Sequence, residues 1–277
     1  MTVQPPLDPT PPAPPRRRGA ALAVSIATIV VGGCVLLGAV VGTGVSAAAT
    51  FRDSGAAVDA GETSTNGLTD LDVEVAGGAL TIEYGDVADA RLDTNGRDSS
   101  GWTFERDGDT LRVSSPRAGL VGWASDATSA TLTLPRTSAT TDLDARIDVA
   151  GGALDLDIDL ASLTVELAGG TVDLSGSART LDVSVAGGAA STTLTGVDTA
   201  TFEVAGGNLS ATLDGVAPAR TTVKVTAGSA DVTLPDDAYD VTIDGGLGNV
   251  DNRLRISPSA TSVVDVEAEL GQVSLTS

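Results

Sequence analysis

The sequence predicts an all-β protein, a parallel β-solenoid of about 18-residue coils, preceded by one transmembrane α-helix. Three observations predict it. A four-residue phrase ending in two glycines recurs at a nearly fixed spacing. Apolar and polar residues alternate on both sides of each copy. An uncharged apolar run, long enough to cross a bilayer, lies ahead of the first copy.

The phrase Val75-Ala76-Gly77-Gly78 returns as Val149-Ala150-Gly151-Gly152, Leu167-Ala168-Gly169-Gly170, Val185-Ala186-Gly187-Gly188 and Val204-Ala205-Gly206-Gly207. From Gly152 the steps are 18, 18 and 19 residues. Weaker copies follow around Gly228, Gly245-Gly246 and Glu269. All of these glycines are assigned a turning role.

Around the second copy, Ile147, Val149, Leu154, Leu156 and Ile158 alternate with Asp148, Asp155 and Asp157. Period two marks half-buried strands. Val149 and Leu154 are five apart, so a straight strand would turn them to opposite faces. The glycine pair must break the alternation, which it can do through positive φ. Two geometries allow this. A Gly-Gly turn would pair Val149 with Leu154 and give stacked hairpins or a β-sandwich. A corner would instead pair each strand with its equivalent one period later. A single-faced meander needs a second layer, and no amphipathic helix offers one. A coil covers itself, so the solenoid is preferred.

In chain order, residues 1–18 form a Pro-rich cytoplasmic tail, expected to be disordered. Residues 19–51 are the transmembrane helix, contacting the membrane through 20–49. Arg16, Arg17 and Arg18 precede it and Arg52 follows, which places the N-terminus inside and the larger portion outside, a single-pass arrangement. Val45 to Ala49 resembles a signal-peptidase site, but the long apolar run favours an uncleaved anchor. Cys34 reads as a membrane-buried residue and not as a lipid attachment point. Residues 52–67 are a linker, and 68–277 are the β-repeat domain.

Residues 85–145 interrupt the period. Trp102 to Val113 reads as two strands around the Asp107-Gly108 turn. Trp102 and Trp123 are expected to plug one end of the stack. Some ten coils at about 4.8 Å would give a rod on the order of 50 Å long. The last strand pattern, Val273 to Ser277, has no blunting element after it. That pattern leads to the expectation that the C-terminal coil is an open edge that could support self-association or dock a partner.

The chemistry is sparse. The chain has no His, one Cys, and Lys224 as its one lysine. No nucleophile elbow or phosphate loop is present. No catalytic residue and no cofactor is assigned. A net charge of −21 argues against nucleic-acid binding. Asp155, Asp157 and Asp159 share one outer face and are the weak candidates for a Ca²⁺ site. Outward acids more often keep a repeat surface soluble.

The run Gly77 to Ile82, the segment Gly108 to Val113, Leu132 to Pro135 and the tandem Gly-containing strands together resemble the bacterial putative-adhesin domains of unknown function, also called toastrack-type domains. The resemblance covers residues 68–277. It implies a non-enzymatic, solenoid-like domain at the cell envelope, often behind one membrane helix. The expected function is a membrane-anchored scaffold for binding or adhesion, with an envelope protein or glycan as partner. The alternatives are a sensory partner in an envelope-stress response and, less favoured, a carbohydrate-active β-helix enzyme.

Overall fold

A computed structural model describes residues 61–95, 101–116, 128–136 and 143–277. The Pro-rich tail, the expected transmembrane helix, Cys34, most of the expected linker and Trp123 lie outside them. Among the described residues no helix is long and apolar enough to cross a membrane.

The described residues form twenty strands. The first seven are β1 (Glu62–Thr63), β2 (Asp70–Val75), β3 (Ala79–Gly85), β4 (Ala90–Asn95), β5 (Thr103–Asp107), β6 (Thr110–Ser114) and β7 (Ser129–Pro135). The regular repeats supply β8 (Asp144–Val149), β9 (Ala153–Leu167), β10 (Thr171–Val185), β11 (Ala189–Thr195), β12 (Thr199–Val204), β13 (Asn208–Asp214), β14 (Arg220–Val225) and β15 (Ser229–Thr233). The last five are β16 (Ala238–Gly245), β17 (Asn249–Asn252), β18 (Arg255–Ile256), β19 (Ser262–Ala268) and β20 (Gln272–Thr276).

Pairing is parallel throughout the stack. Val149 of β8 is the register partner of Leu167, one period later, and not of Leu154. Leu154 pairs with Leu80 on one side and Val172 on the other. The protein is therefore a two-sided parallel β-solenoid, and the hairpin alternative is excluded. β9 and β10 are long because each runs from the second side of one layer into the first side of the next.

One row shows how the core is built. Val113, Val73, Ile147, Val165, Val183, Phe202, Val223 and Val266 are successive register partners on the first side, and all are buried. Residues two apart in each strand build parallel rows, and both sides contribute to one hydrophobic core. Burying each such side chain is worth roughly 1.5–3 kcal/mol. No third layer is needed, because the two sides cover each other.

The order of layers departs from the order of the chain at both ends. The layers run β6/β7, β2/β3, β8 with the first part of β9, the rest of β9 with the first part of β10, the rest of β10 with β11, then β12/β13, β14/β15, β19/β20 and β16/β17. At about 4.8 Å per layer this stack is about 40 Å tall.

The inversion corrects one expectation. The C-terminal coil, β19/β20, is not the open edge. It lies between β14/β15 and β16/β17, and residues 238–252 are outermost. Alternation marks strands but not which coil each will join, so chain order was a poor guide to stack order.

The opposite end is covered. β5 pairs antiparallel with β6 across the expected turn, where Gly108 has φ +66°. β4 pairs antiparallel with β7, and β1, inside the stretch expected as linker, pairs antiparallel with β4. Trp102 and Phe104 are buried beneath this cap.

Candidate functional site

The corner is the most regular part of the protein. Gly78, Gly152, Gly170, Gly188, Gly207 and Gly228 all have φ between +80° and +96°. Each packs on the corner before it. The carbonyl of Gly152 accepts from Thr171 N at 3.0 Å, that of Gly170 from Ala189 N at 3.0 Å, and that of Gly188 from Asn208 N at 3.0 Å. The ladder continues through Gly228 to Gln272 N at 2.9 Å, and through Gly271 to Asn249 N at 3.0 Å. These glycines are structural.

The first glycine of each pair is a different case. Gly77, Gly151, Gly169, Gly187 and Gly206 occupy the third corner position, where later copies carry Ala227, Leu270 and Leu247. A Cβ on Gly151 would meet nothing closer than Ala76 O at 3.6 Å, whereas on Gly187 and Gly206 it would come to 2.9 Å from the carbonyl oxygens of Ala168 and Ala186. The sequence also placed a turn at Gly245-Gly246. In the structure Gly245 ends β16 opposite Ala268, and Gly246 N donates to Ala268 O at 2.8 Å. The ladder position of that layer is Gly248, and of the next layer in, Gly271. Both were missed because neither sits in a Gly-Gly pair.

The outward side chains form rows across the layers. On the first side Glu74, Asp148, Glu166, Ser184, Glu203, Lys224, Glu267 and Asp244 are successive neighbours. Beside them run Asp72, Arg146, Thr164 and Asp182. Arg146 bridges Glu166 at 2.7 Å and Asp148 at 3.4 Å, and Lys224 lies 3.5 Å from Glu203. Such half-exposed pairs contribute little stability each. Partial burial pushes the Asp148 carboxyl up, with Arg146 opposing and Glu166 and Asp72 reinforcing. Asp182 is likewise pushed up, first by burial and then by Glu203 and Glu166.

On the second side the side chains are short. Thr171, Asp173, Ala189, Ser191, Asn208, Ser210, Ser229 and Asp231 line a shallow groove of about 300 Å³ that runs across four layers. It offers hydroxyls, carboxylates and the Asn208 amide beside the apolar Val172, Ala190 and Leu209, with no aromatic ring in its lining.

The three Ca²⁺ candidates do not converge. Asp155, Asp157 and Asp159 are all exposed on one strand, where alternate residues stand about 6.7 Å apart. Asp155 lies beside Thr81 and Asp173, and Asp157 beside Glu83 and Ser175. Asp159 accepts a hydrogen bond from Ser177 Oγ at 2.7 Å. Among the described residues no three of His, Cys, Asp and Glu come together around a point.

The sequence matches no protein-family model and no curated protein. Solved structures similar to it include the following two. One is described as a putative cell adhesion protein from Clostridium sporogenes, with 12% identity and a TM-score of 0.31, covering 79% of this chain and 97% of the other. The second is described as a putative adhesin from Bacteroides fragilis, with 14% identity and a TM-score of 0.33, covering 78% of this chain and 96% of the other. Likeness at this level carries no functional conclusion.

Proposed function

We propose that the protein is a membrane-anchored, extracytoplasmic, non-catalytic scaffold, whose β-solenoid is used for binding or adhesion at the cell envelope. The observation that carries this reading is the regular polar surface. Successive layers present short polar outward side chains in register, as in Asp173, Ser191, Ser210 and Asp231, so an extended ligand would meet a hydroxyl or a carboxylate in each layer. The chain lacks histidine, the commonest general base. Its single lysine is engaged with Glu203. The anchor rests on the apolar run at 19–51 behind Arg16–Arg18.

The test uses the full chain with Cys34→Ser and Ser277→Cys, expressed in a bacterium. A membrane-impermeant maleimide should label it in intact cells, and the chain should sediment with membranes. Labelling only after lysis would refute the topology. The same protein should be retained on purified envelope polysaccharide or envelope protein without releasing reducing sugar; sugar release would refute the non-catalytic reading.

A further inference from the structure

The two ends of the stack are finished differently, and the difference points to a docking edge. At one end β5, β4 and β1 pair antiparallel across the outer strands and cover the core. At the other end the outermost layer is β16/β17. Among the described residues, β16 pairs on its outer edge with β18 alone, and only at Ala238 and Tyr239. β18 thus begins a tenth layer and abandons it after two residues. Beyond it, residues 240–245 present an edge that no other described strand pairs.

The side chains there are those of an interrupted core. Ile243 is the register partner of Val266, which is buried, yet Ile243 is 44% exposed. At the adjoining corner Leu247 is 87% and Leu270 68% exposed, and Ile256 of β18 is 60% exposed. Of the five large apolar residues that are exposed among those described, only Val216 lies elsewhere. An edge with free backbone groups, an exposed core-position side chain at Ile243 and apolar corner residues beside it is a template for an added strand.

Charge selects the occupant. The outward residues of the edge are Asp240, Thr242 and Asp244, and Asp244 stands beside Glu267 in the layer below. The nearby arginines are already engaged, Arg253 with Asp251 at 2.7 Å and Arg255 with Asp236 at 2.5 Å. A second copy would bring the same acids and another net charge of −21 against this edge. A strand with basic residues at alternate positions would face Asp240 and Asp244, and its intervening apolar residues would cover Ile243.

We propose that residues 240–247 are a β-augmentation site for an extended partner segment that alternates basic and apolar residues. This deepens the scaffold reading by naming a class of protein partner. Its failure would leave the labelling result above untouched.

The test uses the full chain in detergent micelles. The probe is a seven-residue peptide of alternating Lys and Val carrying a fluorophore and a photoreactive group. The expected result is saturable binding in the tens of micromolar, at least tenfold weaker for a Glu/Val peptide, with cross-links mapping to residues 240–250. Asp240→Lys with Asp244→Lys should reverse the preference between the two peptides. Circular dichroism would confirm that this surface variant folds. Cross-links spread over the other acidic rows, unchanged preference in the charge-reversed variant, or a dimer joined through this edge by light scattering and cross-linking would each overturn the proposal.

Discussion

A Cβ placed on Gly170 would stand 2.2 Å from the carbonyl oxygen of Gly152 in the layer below. That oxygen is backbone and is held by Thr171 N at 3.0 Å, so it cannot retreat. Gly170 also has φ +96°. Gly170→Ala is expected to cost at least about 2–3 kcal/mol, from the left-handed strain and the forced separation of two layers together. Gly196→Ala is the control. Gly196 has φ +70° but nothing within 4 Å of a Cβ, so only the strain of roughly 1 kcal/mol remains. Urea midpoints for the two variants check this order.

That clash explains why the repeat was legible. The glycine at the fourth corner position is forced by a neighbouring carbonyl, layer after layer, so Gly152, Gly170, Gly188 and Gly207 stand out at an even period. Inward Val, Leu and Ile alternate with Asp and Thr because each strand has one buried side. The rest was hidden for equally physical reasons. The third position carries a side chain in the later layers, where Ala227, Leu247 and Leu270 erased the Gly-Gly signature and shifted the reading to Gly245. The exchange of the last two layers depends on which coil fits against β14 and β15, a tertiary match with no local mark. The exposure of Ile243 follows from that exchange and could not be read before it.

Ser115, directly after β6 in the outermost layer, finishes the corner that follows β2. Its Oγ accepts from Ala76 N at 2.8 Å and from Gly77 N at 3.2 Å, the place a carbonyl takes in other layers. Ser115 is buried. Ser115→Ala would leave the two amides without this acceptor and should cost about 1–3 kcal/mol. Amide hydrogen exchange at Ala76 should accelerate, while exchange at Ala168, whose N–H bonds Val149 O at 2.8 Å, should keep its protection relative to global unfolding.

Thr221 is fully buried in the row of Ala200 and Val264, and its hydroxyl has no hydrogen-bond partner among the described residues. Thr221→Val keeps the shape and removes the desolvated hydroxyl. It should stabilise the protein by about 1 kcal/mol. Thr192, buried and unpaired in the same way, should give a gain of the same sign. A fall in the urea midpoint of either variant would contradict this account of the core.

Asp182 gives a pH dependence. Burial, Glu203 and Glu166 raise its carboxyl above the ordinary 3.8, so the fold holds that proton more tightly than the unfolded chain does. The resulting stabilisation is full below the unfolded value and is lost as pH rises through the raised one. At neutral pH the charged Asp182 is therefore a liability. Asp182→Asn should stabilise the protein at pH 7 by roughly 0.5 kcal/mol, the scale of a like-charge neighbour across strands. The advantage should shrink on acidification and vanish below about pH 3.8. Thermal melts of both proteins from pH 7 to pH 3 measure it.

The stack itself is tested most directly by cysteine pairing in a Cys34→Ser background. Asp148 and Glu166 are register partners in adjacent layers, whereas a hairpin through the corner would bring Asp148 to Asp155. Parallel neighbours stand about 4.8 Å apart, within disulfide range. The Asp148→Cys, Glu166→Cys pair should oxidise readily within one chain, and the Asp148→Cys, Asp155→Cys pair should remain reduced. The reverse pattern would contradict the solenoid.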